Sequence, residues 1–452
     1  MASKTTDADR SLGRTFFSYV FPNIMGMIGI SAYILADTFF ISVAEGANGL
    51  TALNLVLPVY SIIFAIGNMI AVGSATRFRI YSAQGNNEAD HYFTNAVVFC
   101  LIFSIPFLII GLLFSQGLVT LLGADADIIP LAAPYTKIFM LFTPFFMWNY
   151  VANAFVRNDN TPKVAMTATL ISSLFNIVMD YVLMFPLHME MRGAALATAI
   201  SPIIGIVICA IHILSKKSAI HFIRTRLSVR RLFRSCQLGI SAMIGELAQG
   251  VSTLCFNFLI LAITGNVGVA AYGVIANIAF VGNAIFNGLS QGSQPLFSYY
   301  YGKKRTGDVS RLLRLTIITG LVLAVLVILA TNLLADPLVA IFNSENNPAM
   351  ANLAAVGMHL YFIGYIFASV NIVACGYLGA TEAATWSFVT SLSRGLVAII
   401  VFAFVLSRLF AMTGIWLAFP AAEAVTLILS IIAMIHWRKH ILSHNSENRS
   451  AV

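Results

Sequence analysis

Apolar residues in this chain come in long runs broken by short polar stretches. Twelve runs stand out, at 16–42, 50–80, 92–114, 130–154, 163–185, 193–214, 235–263, 269–299, 311–334, 351–378, 386–409 and 413–437. Each is long enough to cross a bilayer, which takes about 20 mostly apolar residues. Within hydrocarbon every backbone N–H and C=O must be satisfied inside its own segment, so these runs should be helices. The alternation expected of a membrane barrel is absent. The first run far exceeds the apolar core of a signal peptide, roughly 7–15 residues, and is expected to remain as a helix.

Composition agrees. Of 452 residues 59% are hydrophobic and only 10% charged, where a soluble domain carries about 25% charged residues. Basic residues set the orientation. With both termini in the cytoplasm, only Lys137, Arg192, Arg394 and Arg408 of the 26 Lys and Arg fall in or outside the membrane. The outer loops then hold Glu45, Asp125, Asp127, Glu190, Asp336 and Glu345. The net charge of +8 is therefore a topology signal, and no nucleic-acid partner is called for. The five cysteines show no CxxC spacing and read as packing residues, not as a disulfide framework or zinc site.

The longest basic run lies at 215–235, with Lys216, Lys217, Arg224, Arg226, Arg230, Arg231 and Arg234 interleaved with Ile220, Phe222, Ile223, Leu227, Leu232 and Phe233. It reads as a cytoplasmic linker that fixes topology; a segment of this composition can also lie in the interface against anionic lipid. It divides the chain into a tail 1–15, a six-helix lobe 16–214, the linker 215–235, a second lobe 236–437 and a tail 438–452. The lobes resemble each other. At an offset of 219, Gly46, Gly49, Ala52, Ala65, Ile66, Asn68, Gly73, Ser74, Phe78 and Tyr81 meet identical residues, from Gly265 to Tyr300. Gly193 and Ala197 meet Gly414 and Ala418 at 221. Such a duplication predicts two pseudo-symmetric bundles with a substrate path between them. No GxxxxGK[ST] loop is present, so transport must run on an ion gradient or downhill.

Asp37, Asp180, Glu246 and Glu423 fall well inside predicted helices, each at a cost of at least about 2.5–3.5 kcal/mol. Asn176 precedes Asp180 by one turn on the same face, and Tyr33 precedes Asp37 likewise. These hard-oxygen groups suit Na⁺ or a shared proton; the alternative is that each Asp only hydrogen-bonds a neighbouring helix. Asn283, Asn287, Gln291 and Gln294 make a polar stripe, either lining a water-filled path or bonding across helices. Glu246 and Gln249 share a face. Arg394 could neutralise Glu423 or Glu246, which would make those charges structural. The fourth run is rich in aromatic and Met residues, Met140 and Trp148 among them, which suits lipophilic cations, but on composition alone lipid-facing and core packing is the commoner explanation.

Gly288-Leu-Ser-Gln-Gly-Ser-Gln-Pro295, continuing to Tyr301-Gly302-Lys303, resembles the helix-eight signature of the multidrug and toxic compound extrusion (MATE) family. Asp37-Thr-Phe-Phe-Ile41, Val156-Arg-Asn-Asp-Asn-Thr-Pro-Lys163 and Gly193-Ala-Ala-Leu-Ala-Thr198 resemble further stretches of it in the same order. Within the family the chain looks nearest the prokaryotic DinF/MepA-like branch. The resemblance implies a V-shaped pair of six-helix bundles in the bacterial plasma membrane, exporting drugs or metabolites in exchange for H⁺ or Na⁺. It implies a coupling site at Asp37, Asn176, Asp180 and Thr198, with no other metal or cofactor, and a bend of the first helix at Pro22. Glu246 matches an acidic position that another branch uses, but 369–375 lacks the aspartate placed there by that branch. A substrate cavity would draw on Tyr33, Met140, Trp148, Glu246, Gln249, Asn283, Asn287, Gln291 and Gln294. The protein is expected to be a monomer and not an enzyme: HExxH, GxSxG and clustered histidines are all missing. A flippase of lipid-linked or other metabolites is the alternative reading.

Overall fold

The computed structural model describes residues 2–342 and 347–450, with side chains described over most of that range. Glu345, one of the predicted outer-loop acids, lies outside the described residues. Among the described residues twelve apolar spans follow one another, two of the long helices each counting as two. We number them α1 (Leu12–Gly46), α2 (Asn48–Gln84), α3 (Glu88–Leu121), α4 (Ile129–Leu141 and Thr143–Asn158, bent by 50°), α5 (Pro162–Met184) and α6 (Glu190–Ile213). The helix Val229–Gly302 holds α7 and α8 on either side of Gly265. Then come α9 (Thr306–Leu333) and α10 (Pro348–Ala380). The helical segment Ala384–Ser443 holds α11 and α12 on either side of Ala411. Each of the twelve predicted stretches falls on one of these spans. The linker is shorter than its sequence suggested, because Val229 already opens α7.

Two compact units result, one of residues 21–246 and one of residues 1–20 with 247–452. In the first, Phe139 is stacked between Tyr60 and Phe146, with ring centroids 3.5 and 4.3 Å away. In the second, Tyr361 stacks on Phe419 at 4.5 Å beside the fully buried Trp416. Large apolar side chains also cover the outside: Leu113 on α3 and Phe258 on α7 are each 70% exposed. Lipid is the solvent that makes such a surface stable.

The repeat seen in the sequence is a repeat of turns. Between α1 and α2 the chain reverses at Gly46 (φ 61°, ψ −144°), and between α7 and α8 at Gly265 (φ 64°, ψ −155°). This backbone conformation is open essentially to glycine alone. Three residues on, Gly49 and Gly268 leave room for the residue that ends the previous helix, Glu45 in one case and Thr264 in the other. The second pairing behaves alike. Glu190 (φ 52°) opens α6 and Ala411 (φ 50°) separates α11 from α12. Gly193 and Gly414, each three residues later, press against the backbone of Leu183 and Leu406. Both offsets therefore mark places where consecutive helices reverse in almost no space.

Ala411 holds a conformation that costs a β-carbon about 1–3 kcal/mol. Ala411→Gly should raise thermal stability by about 1 kcal/mol, and Gly265→Ala should lower it by a similar amount or more. Melting of the detergent-solubilised variants checks both signs.

Candidate functional site

The site in the first unit begins with two glycines. Gly26 faces Thr169, and a β-carbon at Gly29 would run into the Leu170 side chain, so α1 lies close against α5. The two helices keep step: Asp37 follows Gly26 by eleven residues, and Asp180 follows Thr169 by eleven. Farther on, Phe40 packs against Tyr181 and Phe185, with ring centroids 6.2 and 6.0 Å away. This register brings the carboxyls of Asp37 and Asp180 within hydrogen-bonding reach of each other. Both are buried, Asp180 completely. Oδ1 of each meets no hydrogen-bond partner. An ionised carboxylate only accepts, so a bond between two carboxyls needs a proton on one of them.

Asn176 and Thr198 complete the set. With the Asn176 amide oriented to suit its neighbours, its nitrogen donates to Asp180 Oδ2 at 3.1 Å and its oxygen accepts from Thr198 N at 3.3 Å. The structure thus brings together all four residues that the resemblance singled out. Tyr135 on α4 lies within reach of the Thr198 hydroxyl. Sequence reasoning missed it, since a lone tyrosine in an aromatic run carries no signal. Tyr33 is half-buried on α1, one turn from Asp37.

Glu246 enters the same unit. Its Oε1 accepts from Asn68 Nδ2 at 2.9 Å, and Tyr150 lies within hydrogen-bonding reach. Asn68 was legible only as a member of the internal repeat; nothing in the sequence paired it with Glu246. The other proposed cavity residues are placed variously. Met140 is buried in the α3–α4 contact against Gly111. The Trp148 Nε1–H donates to the Val97 carbonyl at 2.9 Å. Gln249 is exposed. Asn283, Asn287 and Gln291 are half-buried along α8 and Gln294 is buried, all in the second unit. α1 keeps helical dihedrals through Pro22, and Gly46 is where they depart.

In the second unit, Arg394 Nε lies 2.8 Å from Glu423 Oε1. Asn371 donates to Glu423 Oε2 at 2.7 Å and to its carbonyl at 2.8 Å. Arg394 sits in a five-residue π-helical turn, Ser393–Val397. Of the two partners the sequence allowed for Arg394, the structure pairs it with Glu423. Among the described residues no group of three or more His, Cys, Asp or Glu could hold a metal ion.

The fold is that of polytopic membrane transporters. One solved structure, an outward-facing multidrug resistance MATE family transporter of the MOP superfamily, superposes with a TM-score of 0.88 at 19% identity, covering 96% of each chain. Another, a MOP superfamily transporter from Pyrococcus furiosus with a binding pocket of reverse polarity, gives 0.87 at 19% identity with the same coverage. The multidrug export protein MepA of Staphylococcus haemolyticus is 26% identical over 441 residues, 96% of this chain and 95% of that one. MepA of Staphylococcus aureus is 24% identical over 438 residues, 96% of each. The model of the MatE family matches residues 22–182 and 242–405, and the chain belongs to that family.

A buried charge left without its partner is far costlier than a pair replaced whole. Glu423→Ala should therefore destabilise the protein by about 3–5 kcal/mol, and the double change Arg394→Leu with Glu423→Leu should recover most of that loss. Melting curves of the three proteins check this. If the single variant matches wild type, the pair is not what holds α11 to α12.

Proposed function

We propose that this transporter is a secondary antiporter. It exports lipophilic or cationic small molecules and takes up H⁺ or Na⁺ at the Asp37–Asp180 site in exchange. The observation that carries this reading is the pair of facing carboxyls, set against each other at membrane depth with no basic partner among the described residues. Two acids in that position are expensive for a role in packing alone. They make sense when something positive comes and goes. The multidrug export named for the MepA relatives supports the substrate class.

The mechanism follows from charge. With the pair charged, α1 and α5 repel at Asp37 and Asp180, and the Asn176 amide offers one donor against that repulsion. A proton shared by the two carboxyls removes it, and so would Na⁺ held among the oxygens of Asp37, Asp180, Asn176 and Thr198. Either event changes how tightly α1 lies on α5. Pro22 supplies no N–H to the Ser18 carbonyl, and we place there the bend through which α1 responds. Coupling requires that cation and substrate prefer different conformations. Release of the cation to the cytoplasm resets the pair.

Reconstituted protein should move a fluorescent lipophilic cation under an imposed pH or Na⁺ gradient, and the gradient that works names the ion. Asp37→Asn and Asp180→Asn should each cut gradient-driven export at least about tenfold, the loss expected when a transported charge has no acceptor. Asn176→Ala, which removes one donor to the pair, should cost less. Full export by either Asp variant would refute the coupling site.

A further inference from the structure

Between α6 and α7 the chain has no regular secondary structure from residue 218 to residue 228. It is nevertheless fixed, because side chains of the first unit take up its backbone N–H groups in turn. Asp159, in the turn after α4, accepts from the Ala219 N–H at 3.2 Å and from the Ser218 hydroxyl at 2.9 Å. Along the first two turns of α3, Asp90 accepts from the His221 N–H at 3.0 Å, Thr94 from Ile223 at 3.2 Å and Asn95 from Ser228 at 2.9 Å. His91 meets the Thr225 hydroxyl at 2.7 Å. Ile220 is buried beneath. Ordinary loops at a membrane boundary leave such donors to water; this one is strapped down along its length.

Strapping fixes what the outer side presents. Phe222 is 65% exposed, Leu227 46%, Val229 73% and Phe233 63%. Arg224 and Arg226 stand between Phe222 and Leu227, Arg230 stands between Val229 and Phe233, and Lys216 and Lys217 precede them; all five are exposed and none is ion-paired with an acid among the described residues. Arg231 differs, since it is held by Glu88 at 3.1 Å. The strap runs beside Glu88–Asn95, the end at which α3 enters the bilayer from the side rich in basic residues. Apolar side chains and guanidinium groups are thus offered together where acyl chains meet headgroups. A free anion in water would satisfy the arginines but leave Phe222, Leu227, Val229 and Phe233 bare.

We propose that this strap is a docking surface for anionic phospholipid of the cytoplasmic leaflet. Arg224, Arg226 and Arg230 hold the headgroup phosphate, while Phe222 and Leu227 enter the boundary of the acyl chains. The site belongs to the first unit and is independent of the coupling pair.

The test uses the full chain carrying Phe222→Trp, reconstituted in bilayers that contain either brominated phosphatidylglycerol or brominated phosphatidylcholine. Emission in excess of the protein without that substitution should be quenched more strongly by the anionic lipid, and less so as salt is raised. Adding Arg224→Gln and Arg226→Gln should reduce the preference about fivefold per arginine. Equal quenching by both lipids, or a preference that survives loss of the arginines, would overturn the proposal. As a check free of the reporter, phosphatidylglycerol should raise the melting temperature of the unaltered protein more than phosphatidylcholine does. That difference should vanish in the triple variant Arg224→Gln, Arg226→Gln, Arg230→Gln; if it persists, the strap is not the site.

Discussion

How closely α1 can lie against α5 decides the character of the first unit. Two residues without side chains, Gly26 and Gly29, let the helices approach, and their common register then carries Asp37 to Asp180. Between helices in lipid no hydrophobic force draws the partners together, so close packing and polar contacts must do so. Here the packing works against the polar contact whenever both acids are charged. The tension is local, and a single positive charge placed between the two acids would relieve it.

The second unit handles its charges differently. Glu423 is buried, but Arg394 and Asn371 meet it directly, so its interactions are complete within the protein. A carboxylate with a permanent cation has little use for a transient one. The two halves share their turns and their helix order, yet among the described residues Asp37 and Asp180 of the first meet no basic side chain, while Glu423 of the second meets Arg394. With Glu246, held by Asn68 with Tyr150 within reach, the first unit has three of the four acids that the sequence places well inside helices.

Much of the fold was legible because lipid leaves few choices. Long apolar runs must be helices, and the offsets of 219 and 221 were visible in Gly46, Gly49, Gly193 and their partners. The meaning of those offsets was not, since a repeated glycine signals a constraint without saying which. Four members of the site, Asp37, Asn176, Asp180 and Thr198, could be named from i, i+4 spacing and from resemblance. Tyr135 and the Asn68–Glu246 bond could not, because they depend on which helices become neighbours. The end of the linker was misplaced for a related reason: Val229 to Ser235 carries the same basic and apolar mixture whether it is helical or extended.

Where two spans are joined by a single reversed residue, there is no slack. α1 cannot slide along its axis without dragging α2, and the same holds for α7 with α8 and for α11 with α12. Each hairpin behaves as a lever with a welded tip. Motion that begins beside Asp37 must therefore be absorbed within the shaft of α1 or passed whole to its partner. Bending, not gliding, is the movement such welded pairs allow.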